Sequence, residues 1–95
     1  MVELDPLIHA PTRLQLLTTL SAVSEAEFAT LRTVLEVSDS VLSKQLSALV
    51  DAGYVHSRKS LHAGRRTTWV GLTDVGRSAL HDYVTALRRM IDAVD

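Results

Sequence analysis

The 95 residues hold no cysteine, 46% apolar and 22% charged side chains, little glycine or proline, and a net charge of −1. This is the composition of one small, mostly helical globular domain; it excludes disulfides, zinc–thiolate centres and thiol catalysis, and argues against a disordered tail. A domain of this length buries only about two-thirds of its unfolded surface, so a partner chain would help to stabilise it. The acidic residues 1–6 offer neither a basic segment nor an apolar run long enough for a signal peptide or a membrane span, which fits a cytoplasmic protein without a membrane partner.

Pro6 and Pro11 suit first-turn positions, so a short turn over residues 4–9 is expected to lead into a helix near 12–21, with Leu14, Leu17 and Leu20 facing inward. Residues 21–24 break it. A second, shorter helix is predicted over 29–35, with Phe28, Leu31 and Leu35 or Val34 apolar. Residues 26–28 read as a short strand before it, unless Ser24-Glu25-Ala26-Glu27 is a capping box that starts the helix earlier. Only Glu36-Val37-Ser38 then separates it from the next helix, the tight connection of a helix-turn-helix.

That third helix is predicted at about 39–52. Ser38 is its natural N-cap, with Asp39 or Ser40 able to share the task, and Gly53 ends it. Leu42, Leu46, Leu49 and Val50 recur at helical spacing and form an inner face, while Ser40, Ser43, Lys44 and Ser47 form an outer one. Short hydroxyl side chains let a helix approach a groove closely and contact phosphates or either kind of base edge. The plain alternative is a solvated face that happens to be rich in serine.

From 54 to 72 the apolar period becomes two, with Val55 and Leu61 on one side of a turn at His62-Ala63-Gly64 and Trp69, Val70 and Leu72 on the other. A hairpin centred there sets Val55 opposite Leu72 and Arg58 opposite Trp69, leaving Arg65 and Arg66 at or beside the tip. Trp69 reads as a packing residue, stacked under Arg58. Charge is unevenly spread: residues 38–72 carry Lys44, Arg58, Lys59, Arg65 and Arg66 against Asp39 and Asp51, whereas both flanks are net acidic. Such a basic footprint on an acidic body is a modest one, adequate for nucleic acid when two copies act together. A solvated surface hairpin is the other reading.

The last helix runs from Thr73, its N-cap, over about 74–94. Leu80, Val84, Leu87, Ile91 and Val94 are spaced by four, three, four and three, a heptad seam flanked by Tyr83 and Met90. With Leu4, Leu7 and Ile8 from the N-terminus, this seam is expected to form a homodimer; the alternative is that the helix packs only on its own domain.

Several stretches match a known family: Asp5-Pro-Leu-Ile-His9, Arg13-Leu14, Phe28-Ala-Thr-Leu31, Val37-Ser38, Leu42-Ser43, Leu46, Leu49, Ala52-Gly-Tyr-Val55, Arg65-Arg-Thr67, Trp69 and Leu72-Thr-Asp-Val-Gly-Arg77. Over nearly its whole length the chain resembles the compact winged-helix transcriptional regulators related to the MarR and ArsR groups. The resemblance implies an α+β, mainly helical fold: a single winged helix-turn-helix domain over 1–95, with a β-hairpin wing and a C-terminal dimerisation helix. It further implies a homodimer that binds double-stranded DNA. One departure is visible, because the turn before the recognition helix usually has glycine where Glu36 stands. A positive φ there costs Glu36 on the order of 1 kcal/mol, and its carboxylate lies near the expected phosphates, so the departure bears on the tightness of binding rather than on the fold.

The expected DNA contacts are Ser40, Ser43, Lys44 and Ser47 in the major groove and Arg58, Lys59, Arg65 and Arg66 on the backbone or in the minor groove, with Ser38 and Thr67 as further DNA-binding residues. Two-fold symmetry predicts a pseudo-palindromic site with half-sites roughly one helical turn apart. The alternative is a winged helix that meets a protein partner instead of DNA. Catalysis has little support: His9, His56, His62 and His81 are scattered over different elements, and neither a nucleophile elbow nor a glycine-rich phosphate loop is present. No metal and no cofactor is expected. A small-molecule effector between core and dimer helices is compatible with the sequence, which names none.

Overall fold

The computed structural model describes residues 4–94, the His62 side chain excepted. The order is α1 (Pro11–Ser21), β1 (Ala26–Glu27), α2 (Phe28–Leu35), α3 (Asp39–Asp51), β2 (Val55–His62), β3 (Arg65–Leu72) and α4 (Asp74–Asp92). The three strands form one antiparallel sheet in the order β1-β3-β2.

The N-terminal turn is built by Asp5. Its carboxylate accepts from the Leu7 N–H at 2.9 Å, its carbonyl accepts from Ile8 and His9, and Ile8 is thereby delivered into the core with no exposed surface. Pro11 opens α1, where its missing N–H costs nothing. Leu17 and Leu20 are buried as expected, but Leu16 joins them and Leu14 is only half-buried. The reason is that α1 packs against β3, α2 and α4 together, so its apolar stripe must be wider than one i, i+3 row.

Ala26 and Glu27 do extend, pairing with Val70 and Trp69, and α2 follows at once from Phe28. The capping-box alternative is overturned: Ser24 and Glu25 belong to no helix, because Ala26 and Glu27 are held in the β3 ladder. The two helix ends that bracket α3 close in the same way. At Glu36 (φ 54°) the Val37 N–H reaches Arg32 O and the Glu36 N–H reaches Thr33 O; at Gly53 (φ 78°) the Tyr54 N–H reaches Leu49 O and the Gly53 N–H reaches Val50 O. Both are Schellman closures, which require a left-handed residue. Glycine occupies one freely, and glutamate is forced into the other.

Ser38 caps α3, its hydroxyl accepting from the Val41 N–H at 3.2 Å. Leu42, Leu46 and Leu49 are buried, whereas Val50 is 41% exposed and does not belong to the inner face. In the hairpin, Val55 pairs with Leu72 and Arg58 with Trp69, in the expected register. The strands run further than expected, so only Ala63 and Gly64 turn, both at positive φ (51° and 77°), as a two-residue hairpin with right-handed strand twist requires. Thr73 then caps α4, accepting from the Gly76 N–H at 2.9 Å.

Candidate nucleic-acid interface

Burying Leu42, Leu46 and Leu49 turns the opposite side of α3 to solvent, and Ser40, Ser43, Lys44 and Ser47 are all exposed there. Ser38, also exposed, has its hydroxyl oxygen 3.2 Å from that of Ser40 at the helix start. Asp39 is held by Arg32 of α2 at 2.5 Å, a pair that ties the two helices across the turn and offsets one carboxylate near this face. Sequence reasoning missed this use of Arg32. Asp51 lies exposed one turn beyond Ser47, so the face carries an acid at its far end.

Strand alternation divides the wing into two unlike faces. Ser57, Lys59 and Thr68 point toward α3 and, with Phe28, Ser43, Leu46, Ser47, Val50 and Asp51, line an open cleft of about 520 Å³ between helix and ribbon. By the same alternation Leu61 and Arg66, cross-strand neighbours, fall on this side. Arg58, Ser60, Arg65, Thr67 and Trp69 occupy the other face beside Glu27, around a smaller hollow of about 380 Å³.

The expected basic residues therefore do not act alike. Arg58 is stacked over Trp69, its guanidinium carbon 5.6 Å from the ring centre, as expected. The same guanidinium also donates to the Glu25 carboxylate, from Nε at 2.9 and 3.0 Å and from Nη2 at 2.8 Å. Nε and Nη2 are thus committed to Glu25, on the face of the wing turned away from α3, whereas Arg58 is expected from the sequence to contact DNA. The hydrogen bond from Arg58 is the main reason that the Glu25 carboxyl lies below its ordinary range; the charges of Arg58 and His56 act in the same direction and burial acts against it. Arg58 is correspondingly held above its own ordinary value, first by that hydrogen bond. Arg65 is within 4.0 Å of Glu27 but 73% exposed, a loose pair. Among the described residues Lys44, Lys59 and Arg66 make no ion pair, and all three lie on the α3 side.

The junction of α3, wing and α4 is tightly knit. The Thr73 hydroxyl donates to Gly53 O at 2.5 Å, the Thr73 N–H donates to Tyr54 O at 3.1 Å, and the Tyr54 hydroxyl donates to the Asp5 carboxylate. That hydrogen bond to Asp5, followed by burial and the Asp5 charge, pushes the Tyr54 hydroxyl up to about 12. His9 Nδ1 meets the Tyr83 hydroxyl at 2.9 Å, which fastens the N-terminal turn to α4 as well.

The expected seam on α4 is split. Leu80 is only 6% exposed and, with Tyr83, belongs to the protomer's own core, because α1 and β3 pack on that side of the helix. Val84 and Leu87 are half-buried against the same core, as are Leu4 and Leu7. Met90, Ile91 and Val94 are 45%, 61% and 86% exposed, at the end of a helix about 28 Å long in a molecule measuring 54 × 25 × 21 Å. No helix among the described residues is long and apolar enough to cross a membrane.

The profile of the family described as "Winged helix DNA-binding domain" matches residues 12–91. An uncharacterized protein of Methanocaldococcus jannaschii is 30% identical over 78 residues, which make up 82% of this chain and 85% of that protein. Among solved structures, a transcriptional regulator homologue from Pyrococcus horikoshii OT3 superposes with a TM-score of 0.89 at 27% identity, covering 94% of this chain and 88% of that one. A MarR family transcriptional regulator from Silicibacter pomeroyi superposes at 0.70 with 29% identity, over 87% of this chain and 54% of that one. These likenesses extend through the helix-turn-helix, the wing and most of α4, and they favour DNA over the protein-interaction alternative. The chain belongs to the winged helix DNA-binding domain family, and it is a transcriptional regulator related to the MarR group, not an enzyme.

Proposed function

We propose that the regulator acts as a homodimer on a pseudo-palindromic duplex site, each protomer laying α3 in a major groove. Ser40, Ser43, Lys44 and Ser47 meet base edges and phosphates there, and Ser38 meets a phosphate at the helix start. Lys59 and Arg66 grip the backbone beside them. Arg65 and Thr67, near the wing tip, reach it from the other face. The observation that carries the reading is that, of the cations without an ion pair among the described residues, the three on α3 and the wing, Lys44, Lys59 and Arg66, share the α3 side.

Three such cations per protomer, or six per dimer, imply a log–log salt slope of about −5; adding Arg65 takes it to about −7. One protomer alone would show half of that, which explains why dimerisation matters to a footprint this small. The apolar end of α4, at Met90, Ile91 and Val94, with Val84 and Leu87 behind it, is the surface that a second copy would cover. Such a regulator of genomic DNA works in the cytoplasm.

Fluorescence anisotropy against a labelled duplex over a salt series tests the reading. Replacing Lys59 and Arg66 with glutamine should weaken binding to all duplexes and flatten the slope by about 4 per dimer. An unchanged slope, or no binding at low salt, would refute it.

A further inference from the structure

Beyond its base, the wing has few supports. β1 pairs with β3 only at Val70 and Trp69, so from Lys59 and Thr68 outward the hairpin is a two-stranded ribbon without a third strand. Such ribbons are marginally stable on their own. On the α3 side an open cleft lies between helix and wing. On the other side, besides the loose Arg65–Glu27 pair, a firmer attachment exists at the level where the third strand ends. Glu25, the residue before β1, receives the forked guanidinium of Arg58, and Trp69 supports that guanidinium from below. Glu25 is itself only 23% exposed, and its backbone is anchored by the adjacent Ala26–Val70 pair.

We infer that Glu25, Arg58 and Trp69 form a latch that sets the angle of the wing against the body, so that Arg58 acts in DNA binding as a positioning residue and not as a phosphate contact. The inference rests on the DNA-binding reading above. Its lever is short but sufficient. Arg66 pairs with Leu61, three residues beyond Arg58 and thus about 10 Å out along the ribbon, so a tilt of about 10° moves it by nearly 2 Å. That displacement exceeds the tolerance of a charge-assisted hydrogen bond to phosphate. A bidentate fork on an aromatic face resists such a tilt, whereas a lysine at the same place keeps the charge without the fork.

The test compares the full chain with Glu25→Gln, Arg58→Gln, Arg58→Lys and the swapped pair Glu25→Arg with Arg58→Glu, by anisotropy over a salt series and by thermal melts that confirm folding. The latch predicts that Glu25→Gln weakens binding by roughly threefold to tenfold although it removes a negative charge, and that Arg58→Gln and Arg58→Lys do the same with the salt slope within about one unit of wild type. The swapped pair should recover part of the loss. Tighter binding by Glu25→Gln together with wild-type affinity of Arg58→Lys would overturn the latch and make Arg58 a phosphate contact, while leaving the DNA-binding reading intact. Unchanged affinity in all four would also overturn it. Trp69 is the single tryptophan and gives a readout without DNA: its steady-state anisotropy should fall in Glu25→Gln, and no change there would refute the latch even if wild type failed to bind duplex.

Discussion

Gly76→Ala separates two effects that act in opposite directions. In the first turn of α4, alanine in place of glycine should stabilise the helix by up to about 1 kcal/mol on propensity alone. The structure says otherwise: a Cβ on Gly76 would lie 1.9 Å from Tyr54 O and 2.7 Å from Tyr54 C. Reaching ordinary contact would move the start of α4 by about 1.5 Å away from a backbone that cannot swing aside. That shift stretches the Thr73 N–H bond to Tyr54 O, now 3.1 Å, and strains the Thr73 hydroxyl bond to Gly53 O. Overpacking costs about 1–3 kcal/mol and each lost hydrogen bond about 0.5–1.5, so after the propensity gain a net loss near 3 kcal/mol is expected. For a domain of this size that lowers the melting temperature by roughly 10–20 °C. Circular-dichroism melts measure it, with Gly53→Ala as the comparison: Gly53 has φ 78° and nothing within 4 Å of its Cβ position, so only about 1 kcal/mol of backbone strain is expected there. A Gly76→Ala protein that melts at or above wild type would refute the packing of α4 on the Tyr54 peptide.

Glu36→Gly should relieve the left-handed glutamate at φ 54°, raising stability by no more than about 1 kcal/mol after the added unfolded-chain entropy, and should tighten duplex binding at low salt; a lower melting point with weaker binding would contradict this. Ile91→Asp, on a side chain 61% exposed, should give a monomer in sedimentation with secondary structure intact, whereas a persistent dimer would move the interface elsewhere. Leu87 is less suitable for that purpose because it also packs on the core. For Tyr54, the hydroxyl raised to about 12 from 10.0 contributes stability that is fully present below pH 10 and is lost as pH rises through 12. The loss is on the order of 2–3 kcal/mol. Tyr54→Phe should start less stable at neutral pH and show a shallower alkaline decline in urea titrations; parallel declines would refute the Asp5 link.

Features decided within a few residues were legible in the sequence. Val55 and Leu72 alternate with polar neighbours about one turn, which was enough for the register, and the family resemblance, in which glycine usually stands at this turn, raised positive φ at Glu36. The stacking of Arg58 on Trp69 followed from that register. What the sequence hid depends on contacts between distant segments. Glu25 is 33 residues from Arg58 and comes beneath the wing only because two residues of β1 pair with β3. Without that pairing it counted merely as part of an acidic flank. Leu16 and Leu80 were misjudged for a related reason: helical spacing gives the direction of an apolar stripe, but its width depends on how many neighbours the helix has. Val50 shows the converse, an apolar residue at a plausible inner position that faces an open cleft.

The two halves of the proposed operator reader are held with unequal stiffness, and this has a consequence for recognition. α3 and α4 meet through backbone: Tyr54 O receives the Thr73 N–H, Gly76 sits against the same carbonyl, and the Tyr54 side chain is fixed to Asp5 while His9 of the same turn is fixed to Tyr83 of α4. In a dimer formed through the end of α4, these links relay the position of one helix to the other with little slack. The separation of the two α3 helices would then be a property of the fold rather than of the DNA, as half-sites one helical turn of about 34–36 Å apart demand. Among the described residues the wing has no comparable backbone tie beyond Val70 and Trp69 and relies on surface pairs, the forked Arg58–Glu25 and the looser Arg65–Glu27. Substitutions at the junction should therefore change which half-site spacing is accepted, whereas substitutions at Glu25 or Arg58 should lower affinity for every spacing alike. A set of duplexes differing only in spacer length distinguishes the two, and a Glu25→Gln protein with an altered spacing preference would show that this division of labour is wrong.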